Sequence, residues 1–380
     1  MPQILHIIPS FYPSEYYGGP AESAYHLCTA LAKQGYKIHV LTTNADGPER
    51  IVSASDASAD RGLDAISVHY CKRIGRGDFS IEQLIRLPAA ILHADLVHVH
   101  AVFTPVVLVA LFFSRCFGKP VVWTPRGALM AWGRKKKRIL KQLWIAVVFA
   151  LVQAKRSVVH ATSDDEGSML LQEHKGVQVS VVPNGVDLPS LRMRWDSRSK
   201  KRIAFLGRLD PIKGLENLLE ACHLLLESSS AKTWQLDIYG GGPEAYQLKL
   251  ASQLGQLGLS NAVTLRGPVA RSEKSAVFSE MDLFVLPSVS ENVGLVVVEA
   301  LAHGVPVIAS KGSPWKILEE KRCGWWTDNT PASLANAIAA ALNEDLPEWG
   351  DRGRTLVEQD FSWDSVATKL AEIYQRLLAN

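Results

Sequence analysis

The stretch SENVGLVVVEALAHGVPVIAS, residues 290–310, sets two carboxylates, Glu291 and Glu299, eight positions apart in a run that is otherwise almost wholly apolar. It ends in residues 305–309, an apolar β-rich run that is typical of a buried strand. A carboxylate taken out of water needs hydrogen bonds or a counter-charge, because its desolvation is costly. The partners of the two acids are therefore either internal to the chain or groups of a bound ligand.

Short β-rich runs of this kind recur along the whole chain and alternate with helical patterns. They lie at residues 4–8, 37–43, 96–100, 121–124, 157–161, 179–182, 202–206, 236–239, 263–266 and 283–286. Because the runs are too apolar to have a solvent-exposed face, they predict parallel sheets covered by helices on both sides. A polar, basic stretch at residues 189–201 interrupts the cycle. We therefore expect two doubly wound, Rossmann-like α/β domains that face a central cleft.

The length of 380 residues exceeds one ordinary core and favours two domains. We predict an N-terminal domain over residues 1–190, a C-terminal domain over residues 200–362, and an amphipathic helix over residues 363–380 that packs back on the N-terminal domain.

The composition is that of a soluble globular protein, with 47% hydrophobic and 21% charged residues. No stretch reaches the roughly 18 uninterrupted apolar residues of a transmembrane helix. The first eight residues lack the basic and long apolar regions of a secretory signal, and the five cysteines are far apart with no CxxC pair. We expect a cytoplasmic protein with reduced, structural thiols and no nucleic-acid partner.

Glycines concentrate where predicted strands end, namely at Gly18 and Gly19, at Gly207, and at residues 240–242. Open α/β sheets bind ligands at the carboxyl ends of their strands, where backbone amides at helix starts face the crevice. Each cluster alone is explained by an ordinary turn, and their shared position is the stronger indication of a binding site.

Two cations, Arg208 and Lys213, follow directly after a predicted strand in FLGRLDPIKG. Arg as a bidentate fork and Lys as a point charge would suit a diphosphate, although solvated surface charges explain either residue alone. The chain has no GxxxxGK[ST] loop and no GxGxxG opening a strand–helix unit. P-loop nucleotide hydrolysis and hydride transfer on a dinucleotide are therefore disfavoured.

The segments GRLDPIKG, IYGGGPE and VPNGVD and the stretch at residues 290–310 together resemble glycosyltransferase family 4, which comprises retaining enzymes of GT-B architecture. The resemblance covers most of the chain and is closest over residues 201–328. The last segment is similar to the E-x7-E signature of the family, with Glu291 and Glu299 at its two acidic positions. Val293 departs from the pattern, because an aromatic residue is commoner there.

The resemblance implies roles for the E-x7-E residues. Glu299 would accept hydrogen bonds from ribose hydroxyls, and Glu291 would contact hydroxyls of the transferred sugar. Backbone amides at a helix start would face the donor diphosphate, and these belong to Asn292, Val293, Gly294 and Leu295. The three valines that follow favour a strand locally, so this helix requires tertiary context to override propensity.

The resemblance extends to the other donor contacts. Arg208 and Lys213 would neutralise the diphosphate, and backbone near Arg266 and Gly267 would recognise the base. Gly18 and Gly19 match a glycine loop that approaches phosphate and acceptor. No metal is then required, and the acidic run SDDE at residues 163–166 is better explained as a helix cap than as a metal site.

In DLVHVH, His98 and His100 alternate on a strand and point the same way, which leaves a metal site open. No carboxylate or cysteine stands at ligand spacing, so we expect no metal. The resemblance favours His100 as a contact to the donor sugar or reacting centre, and His98 as a core residue. Arg126, in TPRGAL, would contact acceptor or phosphate.

A basic run, RKKKR at residues 134–138, leads into the apolar segment ILKQLWIAVVFALV. Peripheral contact with an anionic membrane through residues 134–150, on its inner face, would fit a lipid-linked acceptor. A solvated helix start with a buried continuation explains the same pattern.

The resemblance implies retaining transfer of a sugar from a nucleotide diphosphate sugar to a hydroxyl of a glycan or lipid-linked acceptor, in cell-surface polysaccharide or lipopolysaccharide synthesis. The leaving phosphate would help to deprotonate the acceptor, so neither a protein nucleophile nor a cofactor is expected. Two alternatives stay open: a GT-B isomerase or hydrolase that acts on the nucleotide sugar alone, and a catalytically silent protein that binds it.

Overall fold

The structure is a computed structural model that describes residues 1–14, 16, 19–53, 66–129, 138–152, 155–189, 200–228, 234–291 and 293–379. The chain forms two compact units, the first of Met1–Gly185 with Trp363–Asn380 and the second of Val186–Ser362. The first unit thus ends five residues before the predicted boundary at residue 190, and the last residues of the chain belong to it.

The described strands of the first unit are β1 (Gln3–Ser10), β2 (Lys37–Thr43), β3 (Ala45–Asp46), β4 (Arg50–Ile51), β5 (Ile66–Cys71), β6 (Leu96–His100), β7 (Val121–Thr124), β8 (Ser157–Ala161) and β9 (Gln178–Val181). Seven of them form a parallel sheet in the order β5-β2-β1-β6-β7-β8-β9, and β3 pairs antiparallel with β4. Its described helices are α1 (Gly19–Lys33), α2 (Ile81–His93), α3 (Pro105–Cys116), α4 (Arg138–Leu151) and α5 (Asp164–Glu173).

Alternate side chains of β1 enter two separate cores. Ile4 and Ile8 belong to a cluster with α1 and with the helix at the end of the chain. Leu5 and Ile7 belong to a second cluster with α2, α3 and α4. Because both faces of the central strand are buried by helices, the apolar runs have no polar face, as the sequence predicts.

The described strands of the second unit are β10 (Lys201–Leu206), β11 (Trp234–Tyr239), β12 (Val263–Gly267), β13 (Leu283–Leu286), β14 (Val307–Ser310) and β15 (Gly324–Thr327), all parallel in the order β12-β11-β10-β13-β14-β15. Its described α-helices are α6 (Leu215–Glu227), α7 (Glu244–Gln256), α8 (Lys274–Ser279), α9 (Leu295–Ala302), α10 (Ile317–Glu320), α11 (Pro331–Leu342) and α12 (Leu346–Asp360). Two parallel-sheet, Rossmann-like units confirm the predicted fold class.

The terminal helix α13 (Trp363–Leu378) is part of the first unit. Its buried stripe includes Val366, Leu370 and Tyr374, and it packs along α1. None of the helices in the described ranges combines the length and the hydropathy that a membrane span requires.

Candidate functional site

The glycines of the second unit lie where loops from neighbouring strands come together. The Gly207 amide donates to Tyr239 O at 3.0 Å. A Cβ added at Gly240 would lie 1.8 Å from Gly207 O, and one added at Gly242 would lie 2.1 Å from Leu209 O. These contacts are to backbone, which cannot move aside as a side chain does. The glycines therefore allow the β10 and β11 loops to lie against each other at one edge of the sheet.

Lys213 and Glu291 meet at this edge. Lys213 ends a 3-10 turn, Pro211–Lys213, that follows β10 and is capped by the Asp210 carboxylate. Its Nζ donates to Glu291 Oε2, and Ser288 Oγ donates to the same oxygen at 3.3 Å. The two charged side chains are only 18% and 17% exposed. The structure thus brings together two predicted site residues that lie 78 positions apart in the chain.

Glu299 is paired with Lys274, a residue that sequence reasoning missed. Lys274 Nζ, at the start of α8, lies 2.9 Å from both carboxylate oxygens of Glu299 on α9. No local sequence motif predicts this lysine, because it lies 25 positions upstream of Glu299 and only the fold brings the two side chains together. In this structure both acids of the E-x7-E segment have a lysine of their own unit as partner. Completion of their coordination by ligand hydroxyls stays a prediction.

The helix expected after Gly294 is present and is confirmed against the local strand propensity of its valines. Gly294 has φ +68° in the left-handed region, and α9 begins at the next residue. Val297 and Val298 are fully buried, so packing decides their conformation. Trp315 Nε1 donates to Val293 O at 2.6 Å. Asn292, also predicted here, lies outside the described residues.

Arg208 and Arg266 are oriented by acids next to them. Arg208 is 70% exposed and lies 3.4 Å from Asp210. Arg266 Nε donates to Asp237 Oδ1 at 2.8 Å, which raises the pKa of the guanidinium, and Gly267 follows with φ +80°. These interactions do not test the predicted contacts with the donor. The contact of Arg208 with the diphosphate and the contact of backbone near Arg266 with the base stay predictions.

The glycine loop of the first unit is described only in part, since Gly18 lies outside the described residues. Gly19 is the first residue of α1, and a Cβ added there would meet none of the described residues within 4 Å. Packing against the described part of the chain therefore does not require glycine at position 19.

His100 is enclosed by hydrogen bonds. Arg126 donates to His100 Nδ1 from Nε at 3.4 Å and from Nη2 at 3.2 Å. Because a guanidinium only donates, the proton of His100 is on Nε2, which lies 3.1 Å from His6 Nδ1 and donates to it. His6 Nε2–H is then a buried donor without a partner among the described residues. His100 is 1% exposed with both ring nitrogens engaged, so a contact to a sugar would have to replace one of these bonds.

His98 belongs to a second hydrogen-bonded chain, and its prediction as a core residue is confirmed. His160 Nε2 donates to Val182 O at 2.7 Å, so His160 Nδ1 accepts from Thr124 Oγ1 at 2.9 Å. Thr124 in turn accepts from His98 Nε2 at 2.7 Å, and His98 Nδ1 accepts from Tyr374 Oη at 2.6 Å. Both imidazoles of this hydrogen-bonded chain, those of His98 and His160, are therefore neutral, because each has one nitrogen that accepts a hydrogen bond.

Three imidazoles of this region, those of His6, His98 and His100, have ring nitrogens within 4.8 Å of one another. Their spacing would admit a metal, but the Arg126 guanidinium donates to one of them, and a second cation beside it would be repelled. The donor set therefore fits a hydrogen-bonded network better than a metal centre.

Arg126 has φ +54° and is tied to α1 through a 2.6 Å bond from Nη1 to Ser23 Oγ. The next amide, Gly127 N–H, donates to Glu166 at 2.6 Å. Glu166 is fully buried, and Ser163 Oγ accepts from its amide, so SDDE is a helix cap as predicted. Sequence reasoning missed that Glu166 also fixes the turn that carries Arg126.

Solved structures of similar fold include Anabaena HepE in complex with UDP, which covers 98% of this chain and 99% of its own at a TM-score of 0.72 and 20% identity. WaaG, a glycosyltransferase involved in lipopolysaccharide biosynthesis, covers 97% of this chain and 99% of its own at a TM-score of 0.63 and 17% identity. With the two parallel-sheet units, these likenesses define a protein of the GT-B fold.

Residues 17–189 match the family described as Glycosyltransferase Family 4, and residues 192–356 match Glycosyl transferases group 1. The chain belongs to glycosyltransferase family 4, as its motifs predicted. A D-inositol 3-phosphate glycosyltransferase from Corynebacterium glutamicum is 33% identical over 214 residues, which is 54% of this chain and 51% of the relative. The chain spans about half the length of this and several other curated relatives that it matches.

Proposed function

We propose that the protein transfers a sugar from a nucleotide diphosphate sugar to a hydroxyl acceptor, with retention at the anomeric carbon and without a metal ion. The observation that carries this proposal is the part-buried pair of Lys213 and Glu291 beside the start of α9. Family membership supports it, as does the UDP bound to the structurally similar HepE.

Donor binding would exchange the partners of this pair. The diphosphate draws the Lys213 ammonium, and the sugar hydroxyls donate to the freed Glu291 carboxylate. Amides at the start of α9 and the Arg208 guanidinium add positive potential near the same oxygens. Negative charge grows on the leaving diphosphate as its bond to the anomeric carbon breaks, so fixed cations there stabilise the transition state more than the ground state.

The chemical step balances without a protein nucleophile. The bond between the anomeric carbon and the diphosphate oxygen breaks, and the acceptor oxygen bonds to the same face of that carbon. The acceptor proton passes to an oxygen of the departing phosphate. A metal is not needed to neutralise the diphosphate if Lys213 and Arg208 do so.

Turnover with a panel of UDP, GDP and ADP sugars tests the proposal. The product should keep the anomeric configuration of the donor by NMR, and EDTA should leave the rate unchanged. An inverted product would overturn retention, and loss of rate with EDTA that returns with a divalent cation would overturn metal independence.

Two other functions are separated by the same assay. An isomerase or hydrolase of this fold would consume the donor with no acceptor present. A silent binding protein would show donor binding by calorimetry and no turnover with any acceptor. The ion-paired Lys213 favours sugar transfer over binding without catalysis. Its positive charge stabilises the diphosphate most when that group leaves and its negative charge is largest.

For the setting, we propose synthesis of a cell-surface polysaccharide or lipopolysaccharide, with a glycan or lipid-linked sugar as the acceptor. The support is the structural likeness to WaaG. In this reading, His100 and Arg126 serve the reacting centre and the acceptor. Acceptor panels that differ in one hydroxyl or in the lipid tail would test the assignment.

A further inference from the structure

Three side chains that can ligate a metal ion meet where the edge strand β5 ends against the first turn of α2. They belong to His69, Cys71 and Glu82, and their candidate ligand atoms all lie within 4.8 Å of one another. His69 Nε2 is 3.0 Å from Glu82 Oε1. None of the three is among the residues predicted to contact the donor or the acceptor, so the cluster needs an explanation of its own.

Secondary structure holds these ligands close together. His69 and Cys71 are two positions apart on β5, so both side chains point to the same face of the sheet. That face carries α2, and Cys71 belongs to the same buried cluster as Leu87 of this helix. Glu82 is fixed from the other side, because the Lys72 amide donates to its Oε2 at 2.9 Å. Two ligands from a strand and one from a helix are therefore oriented before any ion binds.

The donor set is typical of zinc. Proteins bind Zn²⁺ through thiolate, imidazole and carboxylate groups, most often with four ligands in a tetrahedron. With bonds of about 2.0–2.3 Å, neighbouring ligand atoms in such a tetrahedron lie about 3.3–3.6 Å apart. Rotation of side chains closes a separation of 4.8 Å to this value. Mg²⁺ and Ca²⁺ prefer oxygen ligands, so a thiol in the set disfavours them.

The cluster is open to solvent on one side. The side chains of His69 and Glu82 are 46% and 37% exposed. His69 also lines a groove of about 360 Å³ that β2, β5 and α2 enclose. Cys71, in contrast, is fully buried. An ion can therefore enter from the groove, and a water molecule on that side can supply the fourth ligand.

One cation already lies beside the cluster, but it is free to leave. Arg86 Nε donates to Glu82 Oε1 at 2.9 Å, in an i, i+4 pair whose Arg86 side chain is 52% exposed, so the guanidinium can turn into water at little cost. The imidazole cluster around His100 differs. Arg126 is bonded there to Ser23 at 2.6 Å, and all three candidate ligands are neutral imidazoles. At the end of β5, a carboxylate and an ionised thiol would offset the charge of a divalent cation.

We propose that His69, Cys71 and Glu82 bind a zinc ion, with water as the fourth ligand. Cys71 would coordinate as the thiolate and release its proton to solvent, and the imidazole of His69 would carry its proton on Nδ1. Zinc would fasten β5 to α2 and close the segment of residues 72–80 between them. It would take no part in the chemical step, so this inference goes beyond sugar transfer and does not depend on it. Removal of zinc by EDTA would lower stability and still leave the rate unchanged.

Binding of Co²⁺, a coloured substitute for zinc, tests the proposal on the untagged full chain after EDTA has removed bound metal. One equivalent of Co²⁺ should give the near-ultraviolet charge-transfer absorption of a cobalt–thiolate bond, and Zn²⁺ should displace it. Cys71→Ser should lose this absorption. His69→Gln and Glu82→Gln should each weaken Zn²⁺ binding at least about tenfold in competition titrations, since loss of an outer-shell partner alone costs that much. Saturating Zn²⁺ should raise the urea midpoint of the unaltered protein and not that of Cys71→Ser.

The matched controls remove the same residue types elsewhere in the first unit. Cys116→Ser removes an exposed thiol, and His93→Gln removes an exposed imidazole from the same groove, so both should bind Zn²⁺ as the unaltered protein does. Circular dichroism should show that each variant is folded, and His69→Gln, at an exposed position, gives a second reading if Cys71→Ser is not.

Three results would overturn the proposal. They are no charge-transfer absorption in the unaltered protein, an absorption that Cys116→Ser removes, and unchanged Zn²⁺ affinity in all three ligand variants. A urea midpoint that Zn²⁺ does not move would overturn the fastening of β5 to α2.

Discussion

Glu291 and Glu299 stand eight residues apart, but their lysine partners come from different elements. Lys213 reaches Glu291 from the turn after β10, whereas Lys274 reaches Glu299 from the start of α8. The Glu291 pair is the more enclosed, so removal of one partner leaves a part-buried charge that water solvates poorly. A donor that displaces both lysines would have to replace each ion pair with hydrogen bonds from its own hydroxyls.

Replacing Lys213 by Met should abolish most activity while the protein stays folded. Loss of one cation at the leaving diphosphate is expected to cost about 10²–10³ in kcat. The uncompensated Glu291 carboxylate should lower stability by about 1–3 kcal/mol. Steady-state kinetics and urea unfolding measure the two effects. Lys311→Met, which removes a largely exposed pair with Asp328, is the control and should change neither by much.

Replacing Glu299 by Gln should weaken nucleotide binding more than turnover. A hydrogen bond between a ribose hydroxyl and a carboxylate is worth about 1.5–3 kcal/mol, or roughly ten- to a hundredfold in Kd. Titration calorimetry with UDP measures this. Glu320→Gln, at an exposed site beside Lys316, should bind UDP as the unaltered protein does. Equal affinity of the two variants would contradict the ribose assignment.

At the scale of elements, the central strands could be predicted because burial on both faces leaves an unbroken apolar run. The edge strand β5 was missed, since it alternates exposed and half-buried residues and contains Ser67 and His69. The short β15 was missed as well. Residues at strand exits were predictable for the donor site, because topology places them at one edge. Lys274 and Glu166 were not, because only tertiary packing brings them to their partners.

Gly240→Ala should destabilise the second unit by at least about 2 kcal/mol. The residue has φ +152°, and its Cβ would meet the Gly207 carbonyl, so the β10 and β11 loops must separate. Gly255→Ala is the matched control, because it lies in α7 with nothing within 4 Å of its Cβ. That change should stabilise by about 0.5–1 kcal/mol, as alanine is the better helix former. Chemical unfolding followed by circular dichroism distinguishes the two, and equal effects would mean that the loop contact is unimportant.

At the scale of the whole molecule, the two units bury ionisable groups differently. In the first, the described structure holds His6, His98, His100 and His160 at 4% exposure or less. In the second, among described residues, the buried histidine is His303. Burial lowers the pKa of His6 to about 3 and that of His160 to about 4, and it holds the pKa values of His98 and His100 well below their usual range. Protonating His98 or His160 would also destroy the Nδ1 acceptor in its hydrogen-bonded chain.

The first unit should therefore lose stability in mild acid before the second. The unfolded chain binds protons on these histidines as the pH falls through about 6.5, while the folded unit does not until the pH approaches 4 or lower. Since the unfolded state then holds more protons, stability is complete above about pH 6.5 and falls below it, by up to about 1.4 kcal/mol per pH unit for each histidine.

Buried thiols report on the unfolding of each unit, with Cys28 in the first and Cys222 in the second. After incubation in urea at pH 7 or pH 5, a brief labelling pulse at one common pH, mapped by mass spectrometry, should show the midpoint for Cys28 falling much more than that for Cys222. As a control, His223→Gln, at a half-exposed site in the second unit, should leave the urea midpoints for Cys28 and Cys222 the same as in the unaltered protein. A midpoint for Cys28 that does not move between pH 7 and pH 5 would mean that the buried imidazoles are already charged in the folded unit.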